Sequence, residues 1–427
     1  MKNHPQSRLA TYLLLLFFSF SIAAQSSFVD ATATPEKAGF STERLGKLDD
    51  FLQGLVDDEV IPNAVTFVAR RGQIIHHKAY GHRDIASKAP AKTDDIFRIA
   101  SQTKALVTVA LLTFYEEGKF LPEDPIEKYL PEFAQPRVLD THDPESLEFT
   151  TRPASRSITV RDLMTHTAGI PYDHPLAGRP EFDVPYFASL KPLQLEEVIK
   201  KIAARPLIHD PGTKFTYGLN TDILGRLVEV LSGQKLNEVL SERIFEPIGM
   251  KDSYFFLPAD KHNRLVSLYS KLTAEAQLTV HENETYRNFA TSGAQTYLSG
   301  GAGSVGTIED YAKFCQMLLN RGSFNGQRIL APKTVDMMTS PRSNGQTVWN
   351  RRDPYGYGVQ VISPDSHYGD QATPGSYTWG GMYLSEYTID PTEELVMLLY
   401  TNVHPIPQYS EVVRKFRILV YAALVDP

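Results

Sequence analysis

The sequence predicts an α/β protein in which one sheet, built from the two ends of the chain, is flanked by an N-terminal and a C-terminal helix and interrupted by a mainly helical middle. Three observations predict it. Residues 64–80 read as two strands around a tight turn, directly after an amphipathic helix. Strand patterns return only late, at Tyr357 to Ile362, Met382 to Ile389 and Leu395 to Tyr400, before a last helix from Val412 to Ala423. Between these, from Ile158 to about Ala290, the pattern is helical. At 427 residues, 42% hydrophobic and 22% charged, the chain can bury one large core or two modest ones. Its net charge of −7 provides no basic stripe, which argues against a nucleic-acid partner.

At the N-terminus, Lys2 and Arg8 precede an apolar run, Leu9 to Ala24, that ends in small residues, the pattern of a secretory signal peptide. The run falls short of the roughly 20 residues a bilayer span needs. Residues 1–24 are therefore expected to be cleaved near Ala23, Ala24 or Gln25, leaving an exported, periplasmic or secreted protein without stable membrane insertion. Residues 25–427 are expected to form a single unit, with an α/β part at about 25–105 and 295–427 and a helical part at about 106–294.

Ser41 can cap a helix whose apolar face is Leu45, Leu48, Phe51, Leu52 and Leu55, closed by Pro62. Strands Ala64 to Arg70 and Gln73 to Tyr80 follow around Arg71-Gly72, a hairpin expected to pack on that helix. His76 and His77 fall on opposite strand faces and cannot share a metal. The stretch Ile99-Ala100-Ser101-Gln102-Thr103-Lys104 then opens an apolar helix running to about Gly118. Three residues apart, Ser101 and Lys104 share a helix face. A serine needs a neighbour to take its proton, and a lysine shut away from water can do so. Ser-x-x-Lys recurs by chance as a cap and a solvated cation, so its meaning depends on partners elsewhere.

The Pro-rich, charged passage from Leu121 to about Ser157 reads as surface connection. Helices are expected at Val160 to Thr165, Leu193 to Ala203, Thr221 to Leu231 and Leu236 to Ile244. Cys315, the single cysteine, excludes an intramolecular disulfide and a thiolate metal cluster, and its amphipathic surroundings make it a buried hydrophobe.

Four further stretches carry chemistry. His166, in Leu163 to Pro171, can act as a base, but beside two threonines and a Gly turn it reads as a structural hydrogen-bond hub. Tyr217, just before a helix start, can point its hydroxyl at a reacting centre, or it can simply pack. The Ser299-Gly300-Gly301-Ala302-Gly303-Ser304 turn lacks the lysine of a phosphate-binding loop. Trp379, Gly380, Gly381 and Met382 lie at a strand edge where glycines let a ligand approach and exposed N–H groups can hold an oxyanion, although a simple bulge also fits.

Taken in order, Ser101 to Lys104, Leu163 to Pro171, Tyr217 before Thr221-Asp222-Ile223-Leu224-Gly225, Ile244 to Met250, the Gly300 turn and Trp379-Gly380-Gly381 resemble the serine β-lactamase and penicillin-binding-protein superfamily, and within it the class C-like branch that includes the family VIII carboxylesterases. The resemblance covers roughly residues 40 to 425. It implies an antiparallel sheet with a helical inserted domain, Ser101 as the acylated nucleophile, and Lys104 and Tyr217 as the base and acid. The backbone N–H groups of Ser101 and Met382 would form the oxyanion hole, where one donor contributes about 3 kcal/mol. No metal or organic cofactor is implied. The chain departs from the lactamases twice, with Leu219 where they place Asn, Asn220 lying one step on, and with Trp379 where a lysine receives a carboxylate. The second departure is shared with the family's esterases and favours a small-ester substrate. The alternatives are a D-amino-acid peptidase or weak β-lactamase on cell-wall-like amides, and a non-catalytic protein that binds wall fragments.

Overall fold

A long hairpin founds the sheet. In the computed structural model, which describes residues 28–32 and 34–425, strand β1 is Val29–Asp30, and Asn63–Arg70 (β2) pairs antiparallel with Gln73–Asp84 (β3). The turn between β2 and β3 is built on Arg71 and Gly72, both at positive φ (52° and 70°), the backbone a two-residue hairpin requires. The late strands Gln360–Val361 (β4), Tyr377–Gly381 (β5), Ser385–Asp390 (β6) and Leu395–Tyr400 (β7) complete an eight-stranded sheet in the order β1-β3-β2-β7-β6-β5-β4, with Ala89–Pro90 paired off this path to β3. First and last parts of the chain thus meet along β2 and β7, with Val65 opposite Tyr400 and Arg70 opposite Leu395. Every pairing is antiparallel except β1 on β3, so the expected antiparallel sheet carries one parallel edge.

Strand β7, Leu-Val-Met-Leu-Leu-Tyr, is apolar throughout because both its faces are covered. Leu395, Met397 and Leu399 join Ala64 and Val68 against the helices Thr42–Asp57 (α1) and Tyr409–Ala423, which lie on one face. Val396, Leu398 and Tyr400 join Val65 and Phe67 on the other face, against Thr103–Glu116 (α2) and Ile308–Leu319. Ser41 caps α1 as expected, accepting from Arg44 N–H at 3.3 Å, and Leu45, Leu48 and Leu52 are its buried face. Helix α2 is buried from Thr103 to Leu112, the all-round apolar pattern of a helix inside a core. Each such buried side chain contributes about 1.5–3 kcal/mol, against about 0–1 kcal/mol for an exposed ion pair, so burial sets this architecture. No helix among the described residues is long and apolar enough to cross a membrane.

The middle of the chain holds the helices Val160–Met164 (α3), Leu195–Ala204 (α4) and Asn220–Ser232 (α5) close to their expected limits. The helix from Leu236 remains α-helical only to Leu240, then widens over Ser241–Phe245 and ends at Gly249, whose φ is 73°. Helices Ile308–Leu319 and Tyr409–Ala423 are α6 and α7. Three expectations fail. The Leu121 to Ser157 passage is not only surface, for it buries Ile126, Leu130, Phe133 and Val138 and forms a hairpin of Arg137–His142 with Phe149–Pro153. Its prolines occupy turn starts such as Pro131 rather than breaking a core segment. The strand expected from Met382 to Ile389 begins at Ser385. Residues Met382 to Leu384 are the turn after β5, with Leu384 at φ 61°, and the glycine-ended Tyr377–Gly381 is itself a strand. Similarly, the strand expected over Tyr357 to Ile362 is only Gln360–Val361.

Candidate active site

The chain enters the site along Phe97–Arg98, a short strand paired with Val305–Gly306. Ala100 then takes φ 44°, a left-handed backbone that costs a non-glycine residue on the order of 1 kcal/mol and turns the chain into the first helical turn. Thr103 locks this corner, its hydroxyl donating to Ala100 O at 2.6 Å and accepting from Ser304 N–H at 3.1 Å. Ser101 emerges half-buried at a cavity, and Lys104, one turn on, is fully buried. The helix spacing brings the two together as expected, with Lys104 Nζ donating to Ser101 Oγ at 3.2 Å. Its other two donations go to Tyr172 OH at 2.9 Å and Gly301 O at 2.8 Å. Gly301 therefore serves the lysine, while Gly300 lies where a Cβ would meet Thr221 O at 2.5 Å, a packing role for the glycine turn and not a phosphate cradle.

Tyr217 stands on the opposite wall. Lys104 Nζ lies 4.6 Å from the centre of its ring, and its hydroxyl accepts from Trp379 Nε1 at 3.1 Å. Both contacts fix the ring and its oxygen in the wall facing Ser101. His166 is the hub that positions it. The imidazole is buried 4.7 Å from the Tyr217 ring, Nδ1 accepts from Asn220 Nδ2 at 2.9 Å and from Gly218 N–H at 3.4 Å, and His166 O accepts from Thr216 N–H at 2.7 Å. Burial and the nearby Lys104 charge hold the imidazole well below its usual pKa, so it is neutral. Asn220, one step off the lactamase position, spends its amide on His166 and on Ile170 O at 3.2 Å, and Leu219 is buried in the core.

Trp379, Gly380, Gly381 and Met382 line the same cavity as Ser101 and Tyr217, a space of about 210 Å³ completed by Trp349, Arg351, Tyr368, Glu386 and Tyr409. Gly381 is required by crowding. A Cβ there would meet Ile99 O at 2.3 Å and Ser385 Oγ at 2.4 Å, so the end of β5 lies directly against the segment that presents Ser101. Cys315 is fully buried, and burial pushes its thiol up, which makes it the inert hydrophobe expected. His76 and His77 do face opposite ways, to Asp49 Oδ1 at 2.8 Å and to the Phe67 ring at 5.0 Å.

Sequence reading missed three residues. Tyr172 follows the Gly-Ile-Pro turn by one position, and burial, Tyr217 and Asp222 push its hydroxyl well above the usual tyrosine range, so it stays protonated beside Lys104. Asp222, fully buried on α5, accepts from Ser299 OH at 2.7 Å and Gly301 N–H at 3.2 Å, and burial raises its carboxyl against the pull of those bonds and of Lys104. Trp349 stacks on Trp379, with centroids 5.7 Å apart and planes at 18°, and is half exposed. The signal for Tyr172 was its adjacency to a singled-out motif, whereas Trp349 lies in a loop without periodicity. Among the described residues no group of His, Cys, Asp and Glu is placed to hold a metal ion.

A sequence model of the beta-lactamase family matches residues 48–422. The chain belongs to the beta-lactamase family. Esterase EstB of Burkholderia gladioli is 27% identical to it, over 83% of this chain and 90% of its own. The lovastatin esterase of Penicillium rubens is 29% identical, over 82% and 90% respectively. Unliganded simvastatin synthase (LovD) from Aspergillus terreus shares the fold, with a TM-score of 0.75 at 24% identity, over 90% of this chain and 99% of its own. This member of the beta-lactamase family is thus a serine hydrolase, with the family's mixed α/β architecture.

Proposed function

We propose that the protein is an exported carboxylesterase that cleaves small esters through an acyl-enzyme on Ser101. The observation that carries this reading is the 3.2 Å contact of Ser101 Oγ with the buried Lys104 Nζ, at the mouth of a cavity whose β5 edge offers Trp379 in place of a cation. Ser101 Oγ attacks the ester carbonyl carbon, and its proton passes to Tyr217. Lys104, 3.2 Å from Ser101 Oγ and beside the Tyr217 ring, acts together with Tyr217 as the base that takes this proton and the acid that returns it. The carbonyl oxygen takes negative charge between the N–H groups of Ser101 and Met382. The alkoxide leaves with the proton from Tyr217, and water, deprotonated by the same oxygen, then releases the acid from Ser101. The aromatic walls of Tyr217, Trp349 and Trp379 suit an apolar acyl or alkoxy group. Export rests on the sequence of residues 1–24, and the single match over 48–422 supports one hydrolase unit from 25 to 427.

Hydrolysis of 4-nitrophenyl butyrate, set beside a chromogenic cephalosporin, tests the reading. The ester is expected to turn over and to leave an acyl or fluorophosphonate adduct that mass spectrometry locates on Ser101. Ser101→Ala is expected to lose both turnover and adduct. Turnover of the cephalosporin alone would transfer the assignment to amide chemistry, and unchanged hydrolysis by Ser101→Ala would overturn the nucleophile. The N-terminus of the protein recovered from the exported fraction is expected just after residues 23–25.

A further inference from the structure

The cavity beside Ser101 contains a cation that the acylation chemistry does not use. Arg351 lies half-buried in the loop before β4 and makes no ion pair among the described residues. Its guanidinium carbon sits 3.7 Å from the centre of the Tyr368 ring and 4.7 Å from that of Trp349, so its plane is held between aromatic walls. One nitrogen, Nη1, donates to Gln360 Oε1 at 2.6 Å, which fixes the fork from behind and leaves other N–H groups for a ligand.

The carboxylates around it are already engaged. Glu386, at the same cavity, accepts from Thr378 Oγ1 at 3.0 Å and from the hydroxyls of Tyr368 and Tyr409 at 3.4 Å each, and Arg417 Nη2 lies 3.6 Å from it. Burial pushes the Glu386 carboxyl up, against the pull of Arg417 and of Arg351 itself. Asp353 accepts from Gln360 Nε2 at 2.6 Å, Ser366 OH at 2.8 Å and Ser363 N–H at 2.9 Å. Asp370 faces Arg414 and, at 3.9 Å, Arg417. Arg417 and Arg351 both act on the Glu386 carboxylate, but Arg351 makes no ion pair with it, so the Arg351 fork keeps donors for a ligand. A planar guanidinium with free donors, stacked and partly shielded from water, matches a carboxylate better than any neutral group.

We propose that the pocket selects esters bearing a free carboxylate, held by Arg351 while the ester carbonyl lies at Ser101. The inference rests on the esterase reading above. It also returns to the site a carboxylate-binding cation, on the loop before β4 and not at the β5 position that Trp379 occupies.

The test compares kcat/KM for two pairs of esters, each an acid beside its neutral methyl ester. In 4-nitrophenyl hydrogen glutarate the carboxylate is on the acyl side, and in 4-acetoxybenzoate it is on the leaving side. At least one acid is expected to exceed its neutral partner by about tenfold or more, and the pair that does so assigns the side. Arg351→Gln is expected to remove that preference, Arg351→Lys to keep part of it, and Lys415→Gln, which deletes an exposed charge on α7, to leave it. A wild type that prefers both neutral esters, or a preference that survives Arg351→Gln, would overturn the proposal. Glutarate binding separates this failure from failure of the esterase reading. If no ester turns over, a glutarate-dependent rise in Tm that glutaramide does not produce and that Arg351→Gln abolishes still supports the site, and its absence refutes it.

Discussion

Tyr172→Phe deletes one oxygen from the site and changes little else. Lys104 is fully buried, and its three donors reach Ser101 Oγ, Tyr172 OH and Gly301 O at 3.2, 2.9 and 2.8 Å. In the variant one N–H of a buried ammonium lacks its acceptor, and a hydrogen bond to a charged group is worth about 1.5–3 kcal/mol. Part of that loss falls on folding, where about 1 kcal/mol moves the Tm of a chain this long by about 1–2 °C. The rest falls on catalysis, because the ammonium tilts away from Ser101 to find water. At about 1.4 kcal/mol per tenfold, and with about half of the loss on each side, kcat/KM on a chromogenic ester is expected to drop by about three- to tenfold. The loss should sit mainly in kcat, since Tyr172 does not line the cavity beside Trp379. Initial rates and thermal melts on the same preparation measure both parts. Wild-type kcat/KM with an unchanged Tm would refute the idea that Tyr172 holds the lysine.

Gly381→Ala puts a methyl 2.3 Å from Ile99 O, a backbone atom that cannot swing aside, so a Tm loss equivalent to about 1–3 kcal/mol and a fall in kcat are expected. Gly54→Ala on α1 meets nothing within 4 Å and is the control, expected to raise stability by up to about 1 kcal/mol through helix propensity. Asp49 receives hydrogen bonds from His76 at 2.8 Å, Lys78 at 2.6 Å and Tyr80 at 2.5 Å. Burial pushes its carboxyl up, but these bonds prevail and hold it well below the usual range. A depressed folded-state pKa means the stabilisation is present above the unfolded value of about 3.9 and is lost as pH falls below it. Melts of wild type and Asp49→Asn are therefore expected to differ most near neutrality and to converge as the solution is acidified; a gap independent of pH would refute the charge argument.

Local chemistry was legible where it was contiguous. Ser101 and Lys104 share a helix turn, and the stretches carrying His166, Tyr217 and Trp379 are short enough to be read along the chain. The sheet was also legible, because an all-apolar β7 and an amphipathic α1 are patterns of burial. What escaped was set by distant packing. That Gly381 ends a strand follows from Ile99 O lying where its Cβ would go, a contact across 282 positions of sequence that no periodicity records. The hairpin at 137–153 was hidden because its exposed face is as polar as a loop. Tyr172 escapes for a simpler reason, since the Leu163 to Pro171 motif ends one residue before it. Arg351 and Trp349 gain significance only when their loop folds over β5.

The stacked pair Trp349 and Trp379 also makes the cavity its own optical probe. The chain has two tryptophans in all, and both line this space, so all of its indole emission and any near-ultraviolet coupling between the rings originate at the site. A ligand that parts the stack or displaces water from the exposed ring must change that signal. Occupancy can then be titrated on the unlabelled, unmodified protein, with no background from indoles elsewhere.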